Sequence, residues 1–288
     1  MLQGNSRKLI IVFSLLLLLL VGVVGCSEKE TSKKKVKIGY VNWAENIANT
    51  GVAEAIIEDK LGYEVEATQA DVGPVFMAVA EGDYDAFLDV WLPVTHKSYM
   101  DEIGAKVDNY GKFYEGARIG LVVPDYVTIK SIDEMKANKA KFDGRIIGID
   151  AGAGIMKTTA KAIKEYGLDF KLIEGSEAAM IAELADAIKK NEWIAVTGWT
   201  PHWKFARWKL KFLEDPKGIY GKAEDIYIIA RKGLDKDMPD VAKFLKNFKM
   251  NDTQLGELES MINDGMEPVE AGRKWMQEHE DVVKSWLK

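Results

Sequence analysis

The 288-residue sequence contains a single cysteine, Cys26. One thiol excludes a disulfide framework and a cysteine-rich metal site. Histidine is almost as scarce: His96, His202 and His279 have no metal-ligand spacing, so no metal and no cofactor are expected. The glycine-rich stretch Gly148-Ile149-Asp150-Ala151-Gly152-Ala153-Gly154 lacks both the Gly-Lys-Ser/Thr of a phosphate loop and the dinucleotide fingerprint. No Ser–His–Asp set or carboxylate pair stands out, so no catalytic residue is assigned and the chain reads as a non-enzyme. A hydrolase or transferase acting through Glu45 or His202, and a purely adhesive surface protein, are the rivals from other classes. Basic excess is also missing. Without residues 1–25, which hold Arg7 and Lys8 and no acid, 37 basic face 45 acidic side chains, a net charge of −8 against −6 for the whole chain. That balance argues against a nucleic-acid partner, which needs a basic stripe.

One long apolar run stands at the start. Leu9 to Val24 is interrupted only by Ser14 and Gly22, and follows Arg7 and Lys8. It reads as a secretory signal rather than a membrane span. Its end, Val23-Val24-Gly25-Cys26, resembles a bacterial lipobox, which implies cleavage before Cys26 and lipidation there. The alternative is a retained signal anchor with Cys26 a bystander. Residues 26–35 are polar and charged and read as a tether.

From Val36 the pattern is strand, helix, strand, helix, strand. The expected segments are 36–41, a helix over 47–60 stopped by Gly62, a strand over 63–68, a helix over 73–80, and a strand over 85–90. This order predicts a parallel sheet covered by helices. A second unit repeats the layout between the apolar strands Arg118–Pro124 and Asp225–Gly233. Within it a helix opens at Ser131 with Glu134 in capping-box position, and a strand over 193–197 leads to a helical segment over 202–213. Only helices follow, over 239–248, 251–263 and 268–287, expected to pack on the first unit.

Trp residues mark the loops. Ligands of open α/β sheets bind outside the carboxyl ends of the strands. Trp43, Trp91 and Trp199 fall at such positions, in Asn42-Trp43, Trp91-Leu92-Pro93 and Gly198-Trp199-Thr200-Pro201. Of the other five Trp residues, Trp193, Trp208, Trp275 and Trp286 read as packing residues. Trp203 reads as a buttress one helical turn after Trp199. His279, in a charged run, reads as solvated.

Gly198-Trp199-Thr200-Pro201-His202-Trp203, Trp91-Leu92-Pro93-Val94-Thr95-His96-Lys97 and Gly152-Ala153-Gly154-Ile155-Met156 together resemble the glycine-betaine-binding proteins of osmoprotectant ABC importers. The resemblance runs from about Val36 to Lys288. It implies an α/β, bilobal type II periplasmic-binding-protein fold, with two mostly parallel α/β lobes joined by two hinge crossings. The first lobe would take 36–120 and 227–288, and the second 121–226. It also implies that Trp43, Trp91 and Trp199 surround a trimethylammonium group, and that His96 with the amides of Gly154 and Ile155 holds a carboxylate. Glu45 and His202 are further candidates for ligand contact. The implied partners are glycine betaine or a related zwitterion, the importer's transmembrane subunits, and the membrane through Cys26. Choline, carnitine or proline betaine is the alternative ligand.

Overall fold

The computed structural model describes residues 34–288. Cys26, the apolar leader and most of the expected tether lie outside the described residues.

The first unit forms as the alternation predicts. β1 (Lys35–Tyr40) buries Val36 and Ile38 and exposes Lys35 and Lys37. It pairs in parallel with β2 (Glu64–Gln69), from Lys35 opposite Glu64 to Tyr40 opposite Gln69, and with β3 (Ala86–Leu92). Every residue of β3 from Ala86 to Trp91 is buried, as a central strand requires. α1 (Ala44–Ile56) starts earlier than its polar opening suggests. The reason is that its polar residues are paired inside: Asn46 Oδ1 accepts the Val41 N–H (2.7 Å) and Asn49 Nδ2 donates to the Leu88 carbonyl (3.0 Å). Those bonds tie the helix to the ends of β1 and β3. A π turn over Ile57–Leu61 prolongs it to Gly62, whose φ of 77° suits glycine. α2 (Val72–Glu81) links β2 to β3.

α3 (Lys97–Ile103) leads into β4 (Val107–Pro124), an 18-residue strand and the spine of the molecule. Only its last seven residues were legible as a strand. Its first part carries Gly111 and Gly116 at positive φ and three register shifts against β9, which break the period-two pattern. From Val107 to Ala117 it pairs antiparallel with β9 (Glu224–Arg231). From Arg118 it pairs instead with β7 (Val196–Thr200) and β8 (Leu210–Phe212). β9 also pairs antiparallel with β3. β5 (Arg145–Ile147) runs parallel to β6 (Lys171–Ile173) and β7. The resulting order is β2-β1-β3-β9-β4-β7-β5-β6, with β8 beside β4. Parallel pairs occupy the two flanks, and antiparallel pairs gather where β4 and β9 run.

In the second half, the expected capping box forms between Ser131 and Glu134, on a 3-10 segment over Ile132–Phe142. α4 (Gly154–Glu165) follows the glycine-rich turn, and α5 (Glu177–Lys190) is capped by Ser176, whose hydroxyl accepts the Ala179 N–H. The segment after Trp199 departs from expectation. Helix extends only over α6 (Lys204–Arg207), and the chain then enters β8. Pairing with β4 outweighs the weak helical period of 202–213.

The C-terminal part is helical: α7 (Leu234–Asp237), α8 (Pro239–Asn247), α9 (Asp252–Asn263), α10 (Pro268–Glu278) and α11 (Glu280–Trp286). The break between the last two falls at His279. α9 and α10 pack on α1. Glycine makes this close crossing: a Cβ on Gly51 would overlap the Pro268 backbone, and one on Gly272 the backbone at Gly51. Trp275 and Trp286 are buried and stacked at 5.7 Å, as packing residues.

Candidate functional site

Seven of the residues named from sequence line one cavity. Trp43, Trp91, Trp199, His96, Gly154, Ile155 and Glu45 line it, joined by Thr95, Ile119, Ile149 and Ala153. The last four have no role read from sequence, although Thr95, Ile149 and Ala153 fall inside the stretches quoted above. Ile119 arrives by register, since it sits opposite Trp199 across the β4–β7 pair.

Each indole is aimed by its N–H. Trp43, in extended conformation just before α1, donates to Asp150 Oδ2 (3.2 Å). Trp91, near the end of β3, donates to Asp89 Oδ1 (2.8 Å), two residues back on the same face of the strand. Trp199, in β7 rather than after it, donates to Glu45 Oε2 (2.7 Å). The three carboxyl groups take up the polar edges of the indoles. Burial lifts the Glu45 carboxyl well above the usual carboxylate range, and the nearby Asp89, Glu177 and Glu259 add to the shift. Burial likewise raises Asp89 to about 8, although the Trp91 bond opposes it.

His96 ends the Trp91-Leu92-Pro93-Val94-Thr95 turn. It is fully buried, and its Nδ1 accepts the Trp91 N–H (3.0 Å). Burial pulls its pKa down to about 3, and the Lys157 charge pushes the same way. The ring is therefore neutral, and its one proton sits on Nε2. That Nε2–H has no acceptor among the described residues. The turn is clamped from β9: Glu224 accepts the amides of Val94 (2.7 Å) and Thr95 (3.0 Å) and the Thr95 hydroxyl.

The glycine turn supplies more donors. The amides of Ala153, Met156 and Lys157 are engaged within the turn, whereas those of Gly154 and Ile155 have no acceptor among the described residues. Both residues are buried at the N-terminus of α4, where free amides and the helix dipole favour an anion. Gly154 has to be glycine, because a Cβ there would overlap the Thr95 carbonyl.

His202 lies outside this cavity, behind Trp199. Its ring stands 5.0 Å from the indole, and its Nδ1 accepts the Lys204 N–H (3.1 Å). Burial lowers its pKa to about 4, so Nε2 carries the proton and donates to Glu177 Oε1 (3.1 Å). His202 and Lys204 stand against the Trp199 ring, and Trp203 packs on His202 and Trp208 instead. Two more bonds join the halves of the chain around the cavity: Ala44 N–H to Glu177 Oε2 (3.0 Å) and Tyr99 O–H to the Gly152 carbonyl (2.8 Å). No cluster of metal-ligating side chains exists among the described residues, and no described helix is long and apolar enough to cross a membrane.

Solved structures share this fold. The crystal structure of lactococcal OpuAC, closed and complexed with glycine betaine, superposes at a TM-score of 0.83 with 36% identity, over 88% of this chain and all of that one. An ABC-transporter choline binding protein in complex with choline gives 0.82 with 26% identity, over 88% of this chain and 92% of that one. The glycine betaine/carnitine transport binding protein GbuC of Listeria monocytogenes is 44% identical over 162 residues, 55% of this chain and 54% of that protein. The chain thus spans about half the length of this curated relative. The architecture is the bilobal type II periplasmic-binding fold that the strand order and motifs implied. A family model described as the substrate binding domain of the ABC-type glycine betaine transport system matches residues 34–278, a span that contains every residue lining the cavity. The chain therefore belongs to the family of substrate-binding domains of ABC-type glycine betaine transport systems.

Proposed function

We propose that this protein is the extracytoplasmic receptor of an osmoprotectant ABC importer, and that it captures glycine betaine or a close quaternary ammonium relative between Trp43, Trp91 and Trp199. The observation that carries this reading is the chemistry of one cavity, which combines three indoles with three uncommitted N–H donors, His96 Nε2 and the amides of Gly154 and Ile155. A quaternary ammonium has no N–H to donate, so aromatic faces suit it better than a carboxylate does. A desolvated ring contributes ~2 kcal/mol, so three supply roughly 4–6 kcal/mol before ordering costs. The N–H donors match the carboxylate at the other end of a betaine. Such a receptor performs no reaction, and the ligand leaves unchanged.

Capture works by closure. The two lobes would meet where β4 changes neighbours, between Ala117 and Arg118, and where the chain re-enters β9 at Glu224, within a few residues of the boundaries at 120 and 226. Trp43, Trp91 and His96 then belong to the lobe of 36–120 and 227–288, and Trp199, Gly154 and Ile155 to that of 121–226. A ligand held by both stabilises the closed form through contacts the open form lacks. The bonds Trp43–Asp150, Ala44–Glu177, Trp199–Glu45 and Tyr99–Gly152 form in the same step.

Choline is the second reading, favoured by Glu45 at the cavity wall as an acceptor for a hydroxyl. It leaves the three N–H donors without a partner, which supports the betaine. The receptor is held at the membrane by a lipid on Cys26 after removal of residues 1–25, each buried methylene contributing ~0.8 kcal/mol. Cys26→Ala is expected to release the chain from the membrane fraction.

A thermal-shift series with glycine betaine, proline betaine, carnitine, choline and ectoine tests the assignment. A ligand at a hundred times its Kd stabilises by ~2.7 kcal/mol. The largest shift is expected from glycine betaine. No shift from any quaternary ammonium, or recovery of a chemically altered ligand, would refute it.

A further inference from the structure

Behind Trp199 stands a cation that the binding reading does not use. Lys204, the first residue of α6, is fully buried, and its Nζ has no hydrogen-bond acceptor among the described residues. The ammonium lies 4.1 Å from the centroid of the Trp199 ring. Trp199 lines the cavity and Lys204 does not, so Nζ covers the face of the indole turned away from the cavity. The charged and titratable groups around it are Glu177 from α5, Glu45 from α1, Glu259 from α9 and His202 in its own segment. None of them bonds to Nζ. An ammonium buried without a partner is costly, and a purely structural plug at this point would be apolar.

We propose that Lys204 sets the ligand preference of the site: its ammonium behind Trp199 admits a zwitterion and disfavours a cation that has no carboxylate. This rests on the reading of the cavity as a quaternary ammonium site. A cation on the opposite face of Trp199 would stand ~8 Å from Nζ, about twice the observed stand-off. At an effective dielectric of ~20, two unit charges at that distance weaken binding roughly thirtyfold. A betaine carries its carboxylate ~3 Å further on. Attraction between that charge and Nζ offsets most of the penalty and leaves roughly a threefold loss. The same ring thus holds both ligands, and the charge behind it separates them.

The discrimination requires the charged form. Burial lowers the pKa of Lys204 to about 7, and Glu177, Glu45 and Glu259 hold it from falling further. Well below that pH the amine stays an ammonium and the preference is full, near it a bound cation drives the proton off and the preference narrows, and above it the preference fades. Asp89, Glu45 and Glu259 titrate nearby and add a pH dependence of their own, so the Lys204 share is the part that its substitution removes.

The test is calorimetric titration of the full chain, wild type, Lys204→Met and Lys204→Gln, with glycine betaine and with choline, at pH 6 and pH 9. At pH 6 both variants are expected to bind choline about eightfold and glycine betaine about twofold more tightly than wild type, because a lysine titrating near 7 can release its proton when a cation binds. At pH 9 the three proteins should agree for each ligand. Melting curves establish that each variant is folded, and Lys204→Gln decides the matter if the methionine variant is not. Equal gains for the two ligands, or a change at pH 9 as large as at pH 6, overturns the proposal alone. Binding of neither ligand by wild type overturns the reading of the cavity and the proposal with it.

Discussion

The turn after Trp91 and the turn after Trp199 are built alike and end differently. Each indole donates to a buried carboxyl group, Asp89 or Glu45, and each is followed by a cis prolyl bond and a histidine. Each histidine accepts a backbone amide at Nδ1, is neutral through burial, and keeps its proton on Nε2. The difference lies in what that proton meets. At His202 it meets Glu177, whereas at His96, a residue lining the cavity, it meets no acceptor among the described residues. Local wiring fixes the tautomer in both turns, and the lobe opposite decides whether the donor serves packing or a ligand.

Substitutions can break this comparison. The largest effect is expected from the rings themselves. Trp43→Ala, Trp91→Ala and Trp199→Ala should each weaken betaine binding about thirtyfold or more, ~2 kcal/mol per ring, with Trp199→Ala the most severe because it also strands Glu45. Intrinsic fluorescence titration reads this, and unchanged affinity in all three would end the aromatic-box account. Next comes Gly154→Ala, whose Cβ would push the turn off the Thr95 carbonyl and carry two amides out of reach. A loss of at least tenfold in betaine affinity is expected by calorimetry, since hydrogen bonds to a charged group contribute ~1.5–3 kcal/mol. Normal affinity would remove those amides from the carboxylate site.

The two histidines then separate. His96→Ala should cost glycine betaine about tenfold and choline little, because only the carboxylate needs the Nε2 donor. Equal losses for both ligands would take His96 out of that role. His202→Gln should change affinity less than threefold yet lower the melting temperature, as the bond to buried Glu177 is weakened.

The last effect falls on stability against pH rather than on ligand affinity. Both rings have folded pKa values below that of a free histidine, about 3 for His96 and about 4 for His202, with burial the first cause in each. The unfolded chain takes up protons near pH 6.5 that the folded protein refuses. Their stabilisation is therefore full above about pH 6.5 and is lost as the pH falls toward 4. Denaturant unfolding at a series of pH values should show His202→Gln with a flatter acid limb, by up to roughly 3 kcal/mol at pH 4. Identical slopes would contradict the assignment. Asp89 and Glu259 act with the opposite sign: burial holds each at about 8, so the stability they contribute at low pH is lost as the pH rises from about 4 to 8.

Much of the fold was legible because its signals are local. The alternation of β1, Gly62 as a helix stop, the Ser131–Glu134 box and Pro239 or Pro268 at helix starts each depend on neighbours a few residues away. The first part of β4 was not legible, because bulges and glycines erase its period, and β8 was not, because three residues carry too little pattern. In the cavity, the three Trp residues stood out by motif. Asp150 and Glu224 did not, since their partners Trp43 and Thr95 lie more than a hundred residues away.

Short stretches of sequence set which residue types the site contains: three indole rings, a histidine after a Trp-Leu-Pro turn, and a glycine where a helix begins. Those are properties of short stretches and of covalent chemistry. The protonation of His96, the separation of His202 from the cavity and the burial of Lys204 behind Trp199 follow from the folded chain alone. Each of these depends on desolvation and on partners brought in from another part of the chain, and neither can be read from neighbours in sequence.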